Sequence, residues 1–402
     1  MTDFKATRQL FQIPDGMTYL VGNSLGPMPH TAQTRVENLM KRDWANQIVG
    51  GWRSGGENKQ GWFVQPGQIG DRIGKLIGAP AGSTIVGDTL SLKVYQALGA
   101  ALAMRPDRKI ILSDAGNFPT DLYMVQSLIK SLRQGHELKI VGPHKIAEHL
   151  NEQVAALLIT EVDYRTSQLH SMKDLTAKAH KVGALTVWDL AHSAGALPID
   201  VTETQADFAV GCTYKFLNGG PGAPAFIYVA PKHLSQTEPL LAGWMGHAQP
   251  FDFDTEYKPS PTIERMRVGT PPVLGMAALD GALDVWDQVE LSDIRTKTIE
   301  LGQMLVELIG EKRPQLKLES PVDPHKRGSH LAFSHPNGYA IVQALIADKI
   351  MADFRAPDTI RFAITPLYIG AEDLAYAVDK LAHILASDSW DKPQFMAMGK
   401  VT

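Results

Sequence analysis

The 402-residue sequence has little cysteine, little excess charge and no long apolar run. Its single cysteine, Cys212, excludes an internal disulfide and argues against a cysteine-ligated metal site. The formal net charge is only -4 and the basic residues are scattered, which does not indicate a nucleic-acid or membrane surface. No apolar stretch has the length of a membrane span, and the N-terminus has no apolar signal-peptide core. We therefore expect a cytoplasmic protein.

Short apolar segments alternate with helical patterns through the first two thirds of the chain. This alternation predicts an α/β fold in which helices flank a mostly parallel sheet. Ligands of such sheets bind beyond the carboxyl ends of the strands. Thr160, Asp189 and the turn at 213–215 all follow strand-like segments, so we expect them at that edge. The predicted strands are 84–86, 109–113, 155–160, 185–189, 206–211 and 225–230.

The C-terminal part of the chain has a different pattern. Two strand-like segments, at 328–333 and 360–364, are separated by a helical segment, which indicates a small α+β unit. We therefore predict three parts of the chain. They are an N-terminal segment at 1–50 that packs on both domains, a large ligand-binding domain at 51–285 and a small C-terminal domain at 286–402.

Lys215 lies in an unusual neighbourhood for a lysine. Small, apolar or aromatic residues dominate both flanks, at 211–214 and 216–217. Lysine is normally solvated, so this side chain either extends its amine to solvent or has a chemical role. A lysine shielded from water has a lowered pKa and is nucleophilic, as a Schiff base with a carbonyl group requires.

Asp189 ends a strand-like segment 26 positions before Lys215. That separation allows one crossover between neighbouring strands, so both side chains can reach one crevice. An amine for covalent attachment and a carboxylate that keeps a pyridinium nitrogen protonated are what pyridoxal phosphate requires. Asp189 alone could equally be a helix cap, whereas the pair favours the cofactor.

A hydroxyl-rich turn at 87–91 opens a predicted helix that runs to about Met104. Free backbone N–H groups and the positive end of the helix dipole at such a turn can bind a phosphate. Serine and threonine at a helix start are also ordinary caps, so the turn alone does not distinguish the two roles.

Five short segments together resemble the kynureninase family, within the fold-type-I pyridoxal-phosphate superfamily. Lys215 and Asp189 alone indicate only the superfamily, whereas the run Tyr214–Asn218, the turn Gly22–Gly26 and the segment Gly243–His247 are much narrower signals. The resemblance extends from about Tyr19 to Tyr368. The segments are Gly22–Gly26, Phe118–Asp121, Asp189–His192, Cys212–Gly222 and Gly243–His247.

The resemblance implies a fold-type-I architecture, pyridoxal phosphate as the cofactor and a homodimer. The activity it implies is hydrolytic cleavage of the Cβ–Cγ bond of L-kynurenine, which gives anthranilate and L-alanine. Lys215 and Tyr214 are expected to be catalytic, with Lys215 moving the α proton and Tyr214 giving a proton to Cβ. Trp244 and Thr270 are expected to reach the phosphate of the neighbouring subunit.

Carried over position by position, the resemblance implies a cofactor site and a substrate site. Residues 90–91 would hold the phosphate, Phe118 would stack on the ring, and the Arg361 fork would bind the substrate carboxylate. His247 and His330 are isolated, and we interpret both as structural. The expected cofactor residues are Leu90, Ser91, Phe118, Asp121, Thr160, Asp189, His192, Tyr214, Lys215, Trp244 and Thr270. The expected substrate residues are Arg361, Asn23 and Trp62.

Other interpretations stay open. A class-V aminotransferase or a cysteine-desulfurase-like lyase would have the same fold, and composition and spacing do not exclude the aminotransferase. A desulfurase needs a mobile cysteine, and Cys212 lies in an apolar run just before Lys215. A catalytically silent binding protein would have no chemical reason to keep Lys215, Asp189, Tyr214 and Arg361 together.

Overall fold

The computed structural model describes residues 1–57, 59–312, 315–397 and 399, and its largest element is a seven-stranded sheet. The strands are β1 (Thr84–Val86), β2 (Ile110–Asp114), β3 (Glu137–Val141), β4 (Val154–Thr160), β5 (Leu185–Asp189), β6 (Phe208–Gly211) and β7 (Phe226–Val229). In space they follow the order β1-β7-β6-β5-β4-β2-β3. All neighbours are parallel except β7, which is antiparallel to β1 and β6. The predicted α/β fold with a mostly parallel sheet is confirmed.

The central strands are buried on both faces, which explains their continuous apolar sequences. Every residue of β4 and β5 is buried. Along β4, Leu157 and Ile159 belong to one apolar cluster and Leu158 to another, as side chains that alternate across a strand require. Both faces of the sheet are therefore covered, and only the strand ends are open to a ligand.

Helices make up most of the remaining regular structure. The long helices of the sheet region are His30–Asn38, Gln65–Leu76, Leu90–Ala103, Pro119–Leu132, Met172–Lys181 and Val273–Leu283. Short α-helices are Phe4–Arg8, Ala45–Gln47, Gly51–Ser54, Ile146–His149, Pro231–Leu234 and Pro393–Met396. A π-helical segment spans Leu39–Trp44, and 3₁₀ turns span Ile48–Gly50, Pro143–Lys145, Trp244–Gly246, Ile263–Met266, Asp284–Gln288 and Pro324–Lys326. Within the described residues, none of the helices combines the length and apolarity needed to cross a bilayer.

The C-terminal part of the chain forms a second, antiparallel sheet of four strands. They are β8 (Lys317–Leu318), β9 (His330–Ser334), β10 (Asp353–Arg355) and β11 (Thr359–Ala363), in the spatial order β8-β9-β11-β10. The helices Leu291–Lys312, Gly338–Ala347 and Ala371–Ala386 accompany this sheet.

The N-terminal segment joins the second sheet region through backbone pairing. Thr18–Tyr19 pairs in parallel with Ile350–Met351, and the N–H of Ala363 donates to the carbonyl of Leu20 over 2.8 Å. Within the N-terminal segment, the two-residue strands Phe11–Gln12 and Met28–Pro29 form an antiparallel pair. The turn that follows Leu20 is thus held beside the strand that carries Arg361.

Three strands of the two sheets lie outside the predicted segments. β3, β8 and β10 have no continuous apolar sequence, and β8 and β10 are only two and three residues long. In the edge strand β3, polar and apolar residues alternate, and every residue is at least partly exposed. The sequence pattern therefore does not distinguish these strands from loops.

Candidate active site

The carboxyl ends of β4 and β5 bring Thr160 and Asp189 side by side. The two residues are cross-strand partners, and both are almost fully buried. The N–H of Ala191 donates a 2.8 Å hydrogen bond to Asp189 Oδ1, which orients the carboxylate. Burial raises the pKa of Asp189, and the positive charge of Lys215 opposes that rise.

Asp121 forms a carboxyl pair with Asp189. It lies in the first turn of the helix Pro119–Leu132 and is buried. Burial, followed by the Asp189 charge, raises the pKa of Asp121 well above its usual range. We infer that Asp121 is the protonated member and donates to Asp189, since two buried carboxylates this close cannot both be charged.

Lys215 lies in the connection between β6 and β7, close to His192. Its Nζ is 3.3 Å from His192 Nε2. Burial and the charge of Lys215 lower the pKa of His192 well below its usual range. The imidazole is therefore neutral, and its Nε2 can accept a hydrogen bond from the Lys215 amine without charge repulsion.

Two aromatic rings border the Lys215 amine. Lys215 Nζ lies 5.9 Å from the Phe118 ring centre and 5.8 Å from the Tyr214 ring centre. Phe118 contacts Tyr164 edge to face at 5.2 Å and is still 39% exposed, so one face of its ring is available. Burial, followed by the nearby Cys212, raises the pKa of Tyr214, which therefore keeps its proton at neutral pH.

The helix Leu90–Ala103 begins without a side-chain cap. Thr89 precedes it in an extended conformation and makes no capping hydrogen bond, and Leu90 and Ser91 are half-buried. The first backbone N–H groups of this 14-residue helix are thus available to an anion. The N–H of Ala225, at the end of the Lys215 connection, donates to the carbonyl of Asp88 over 3.0 Å. That bond attaches the helix start to the Lys215 segment.

The turn Gly22–Gly26 packs directly against the backbone of the Lys215 segment. The N–H of Gly26 donates to the carbonyl of Tyr214 over 2.8 Å. A Cβ at Gly26 would lie 2.3 Å from the carbonyl oxygen of Lys215, so only glycine fits this contact. Asn23, within the turn, is buried, and neither its side-chain oxygen nor its nitrogen has a hydrogen-bond partner in the part of the chain that the structure describes.

Arg361 projects from β11 and is held by the carboxylate of Asp353. Its Nε and Nη2 donate to the two oxygens of Asp353 at 2.7 and 2.5 Å, and its Nη1 donates to the carbonyl of Tyr164. Ser24 Oγ also donates to Asp353 and lies 3.3 Å from Arg361 Nη2. The edge of the guanidinium that was expected to bind a substrate carboxylate is therefore bonded to Asp353 in this structure.

Three expected residues lie in other surroundings. Trp62 is buried in an apolar cluster with Leu39 and Ala277 and contacts Trp52 edge to face at 5.6 Å. Trp244 is 41% exposed, and Thr270 is also exposed. The structure thus brings Asp121, Thr160, Asp189, His192 and the aromatic pair around Lys215, but not these three.

Sequence reasoning missed Asp353, Tyr164 and the position of His330. Asp353 contacts Arg361 because of the register of β10 against β11, and Tyr164 contacts it because of the path of its loop. No local sequence motif indicates either contact. His330 had been interpreted as structural, yet its ring centre lies 5.9 Å from that of His192. The cross-strand pairing of β9 with β11 is the only signal that could have found it.

Comparison with known proteins gives matches in sequence and in structure. A model of the kynureninase C-terminal domain matches residues 294–381. A kynureninase from Pseudomonas fluorescens is 39% identical over an alignment of 402 positions, and the alignment covers 98% of this chain and 95% of that protein. A kynureninase from Burkholderia pseudomallei strain 1106a is 40% identical with the same coverage.

Two solved structures resemble the fold at low identity. One is a variant of C-DES with glycine covalently linked to its PLP cofactor, with a TM-score of 0.80 and 18% identity over 93% of this chain and 98% of that one. The other is the apo form of a cysteine desulfurase from Thermococcus onnurineus NA1, with a TM-score of 0.80 and 17% identity over 95% of this chain and 98% of that one. At these identities the likeness concerns the fold alone. The relatives that are 39 and 40% identical over almost the whole chain are kynureninases, and on that similarity the chain belongs to the kynureninase family.

Proposed function

We propose that the protein is a pyridoxal-phosphate enzyme that hydrolyses the Cβ–Cγ bond of L-kynurenine to give anthranilate and L-alanine. The observation that carries the proposal is the cluster around Lys215, in which a neutral His192 and a buried carboxyl pair meet at the carboxyl edge of the sheet. Membership of the kynureninase family supplies the substrate class.

The residues present fit the cofactor. The uncapped start of the helix Leu90–Ala103 suits a phosphate, and the Asp121–Asp189 pair suits a pyridinium nitrogen, because its charged member can hold that N–H. Both amide atoms of Asn23 are buried without a partner among the described residues, as expected of groups that bind a polar ligand. When bound, pyridoxal phosphate supplies a ring that accepts the electron pair released by bond cleavage.

The roles of the chain's own residues follow from their positions. Lys215 would hold the cofactor covalently and would move the α proton, and neutral His192 can accept a hydrogen bond from the Lys215 amine. In the overall reaction, water gives its hydroxyl to Cγ and a proton goes to Cβ, so the products together contain one added water. Tyr214 keeps its proton at neutral pH and lies beside Lys215, which suits it to protonate Cβ.

The decisive assay adds L-kynurenine to purified protein and follows the fluorescence of anthranilate. We expect a yellow protein that forms anthranilate, and a Lys215→Ala variant that is colourless and inactive. Tyr214→Phe should keep the colour, and its kcat should fall about 10²–10⁴-fold, the usual contribution of a positioned proton donor.

Transfer of an amino group to a keto acid without formation of anthranilate would favour the aminotransferase instead. Cys212 is buried, and burial raises its pKa, which argues against a desulfurase.

We also propose a homodimer in which Trp244 and Thr270 complete the partner's phosphate site. The exposure of Trp244, with Trp44 55% and Leu274 46% exposed, supports an apolar contact surface. Mixed dimers of Lys215→Ala and Trp244→Ala subunits test it, since one of their two sites would have both residues intact. Activity above that of either parent variant is expected; no recovery would contradict the shared site. We also propose that the N-terminal segment ends at residue 50 and that the large domain ends at residue 285.

A further inference from the structure

His330 is a buried side chain for which the proposed reaction has no role yet. It is the first residue of β9 and is 1% exposed. Neither of its ring nitrogens forms a hydrogen bond with any described residue. The carbonyl of Tyr164 lies near enough to favour its protonation slightly, without completing a well-formed bond.

The register of the second sheet points His330 to the active site. In the β9–β11 pair, His330 lies opposite Ala363 and Ala332 lies opposite Arg361. Because side chains alternate along a strand, His330 and Ala332 share a face, and Arg361 shares it with them. His330 is therefore a diagonal neighbour of Arg361, and the small Ala363 leaves space for its ring. The same ring lies 5.9 Å from His192, centre to centre.

An imidazole with two unbonded nitrogens is expensive to bury. Leaving a buried donor or acceptor without a partner destabilises the folded state, and buried polar side chains in folded proteins almost always have partners. The carboxamide of Asn23 is a second unbonded group in this region, next to Ser24, which contacts Arg361. Two such groups around one arginine indicate a polar ligand that supplies the missing bonds.

The charges nearby define the ligand. Burial and the positive Arg361 lower the pKa of His330 to about 3, so the ring is neutral at physiological pH and has one N–H donor. Arg361 already donates to Asp353 through two nitrogens and to the carbonyl of Tyr164 through the third. When the Nη2 contact with Ser24 is counted as well, four of the five Arg361 N–H groups are used, and a carboxylate ligand has about four acceptor positions, more than the one remaining N–H can satisfy.

We infer that His330 is a substrate-binding residue whose neutral imidazole donates a hydrogen bond to the α-carboxylate of the amino-acid substrate, beside Arg361. The inference rests on the proposed function and adds a contact to the substrate site. The substrate carboxylate would give a partner to the N–H of the ring, which is one of its two unbonded nitrogens.

The test compares His330→Leu, which removes the polar atoms, with His330→Gln, which keeps a donor. His325→Leu is the matched control, because His325 is an exposed histidine of the same C-terminal region. Each holoenzyme is titrated with L-alanine, the amino-acid product, and binding is followed by the cofactor's absorbance. For His330→Leu we expect the Kd to rise about 10- to 100-fold, as for a lost hydrogen bond to a charged group. His330→Gln should stay within a few-fold of wild type, and His325→Leu should match it.

Stability separates ligand binding from a structural role. His330→Leu removes an unbonded polar group, so its unliganded holoenzyme should unfold at the same urea concentration as wild type or a higher one. An unchanged Kd for L-alanine, or weaker binding together with a lower unfolding midpoint, would overturn the inference. If wild type forms no anthranilate while His330→Leu still weakens L-alanine binding, the proposed function fails and the contact stands.

Discussion

Substitution of Asp353 tests how the second sheet holds Arg361, the arginine expected to bind the substrate carboxylate. Asp353 and Arg361 are both buried, and the carboxylate accepts two bonds from Arg361 and one from Ser24. Removing one partner of such a pair leaves an uncompensated buried charge, which costs about 3–5 kcal/mol. We therefore expect Asp353→Ala to lower the free energy of unfolding by about that amount. Asp353→Asn keeps one carbonyl acceptor, so its free energy of unfolding should lie between those of wild type and Asp353→Ala.

The pH dependence of this loss has a definite sign. Burial raises the pKa of Asp353, but the bonds and charge of Arg361 outweigh burial and bring it below the usual value. A carboxyl whose folded pKa is lowered stabilises the protein above its unfolded pKa of about 3.9, and that stability is lost as the pH falls through the folded pKa. The gap between wild type and Asp353→Ala should thus be full at pH 7 and shrink below about pH 4.

Urea denaturation of the holoenzyme at pH 7 and at about pH 3 measures the size of the stability gap and its decrease at low pH. The same variants should show a KM for L-kynurenine that is raised about tenfold or more, because Arg361 loses the carboxylate that aims it. Asp348→Ala is the matched control, since Asp348 pairs with Lys380 at the surface over 3.6 Å and contributes little. Equal unfolding midpoints and equal KM values for wild type and Asp353→Ala would refute the reasoning.

Three further predictions concern other parts of the molecule. Asp121→Asn keeps a donor to Asp189 and should retain cofactor affinity within a few-fold, whereas Asp121→Leu should weaken it about tenfold or more; absorbance titration of the apoprotein with pyridoxal phosphate measures both. Gly26→Ala places a methyl group against the Lys215 carbonyl and should destabilise the protein by about 1–3 kcal/mol, and an unchanged melting temperature would contradict this. Asp207 accepts bonds from two histidine rings at 2.7 Å each, and Asp207→Ala should lower the free energy of unfolding by about 3–5 kcal/mol in urea titrations.

The sequence was sufficient for the features that depend on neighbouring residues. The strand that ends at Asp189 and the uncapped helix start at Leu90 follow from apolar runs and turns of a few residues. Both were predicted within one or two positions, and the sheet that contains the strand has the predicted class.

Contacts between distant strands and loops could not be predicted in the same way. The Asp353–Arg361 pair depends on the register of β10 against β11, where one residue of slip would turn either side chain to the other face. The bond between Arg361 and Tyr164 joins residues 197 positions apart, and no local pattern connects them. Trp62 shows the same limit, because its surroundings are set by the helices that pack on it. Its contact with substrate stays a prediction.

The pairing of the N-terminal segment with the second sheet has a consequence for synthesis of the protein. Thr18 pairs with Ile350, so the short strand Thr18–Tyr19 lacks its partner until residue 350 is made, 332 positions later. At about 5–20 residues per second on the ribosome, that interval is roughly 15 to 65 s. During it the turn that carries Asn23 cannot be held beside Arg361, whereas the seven-stranded sheet, complete at Val229, can already form. The substrate side of the site can therefore assemble only after residue 363 has been made, and a chain truncated before residue 350 would lack β10 and β11, which carry Asp353 and Arg361.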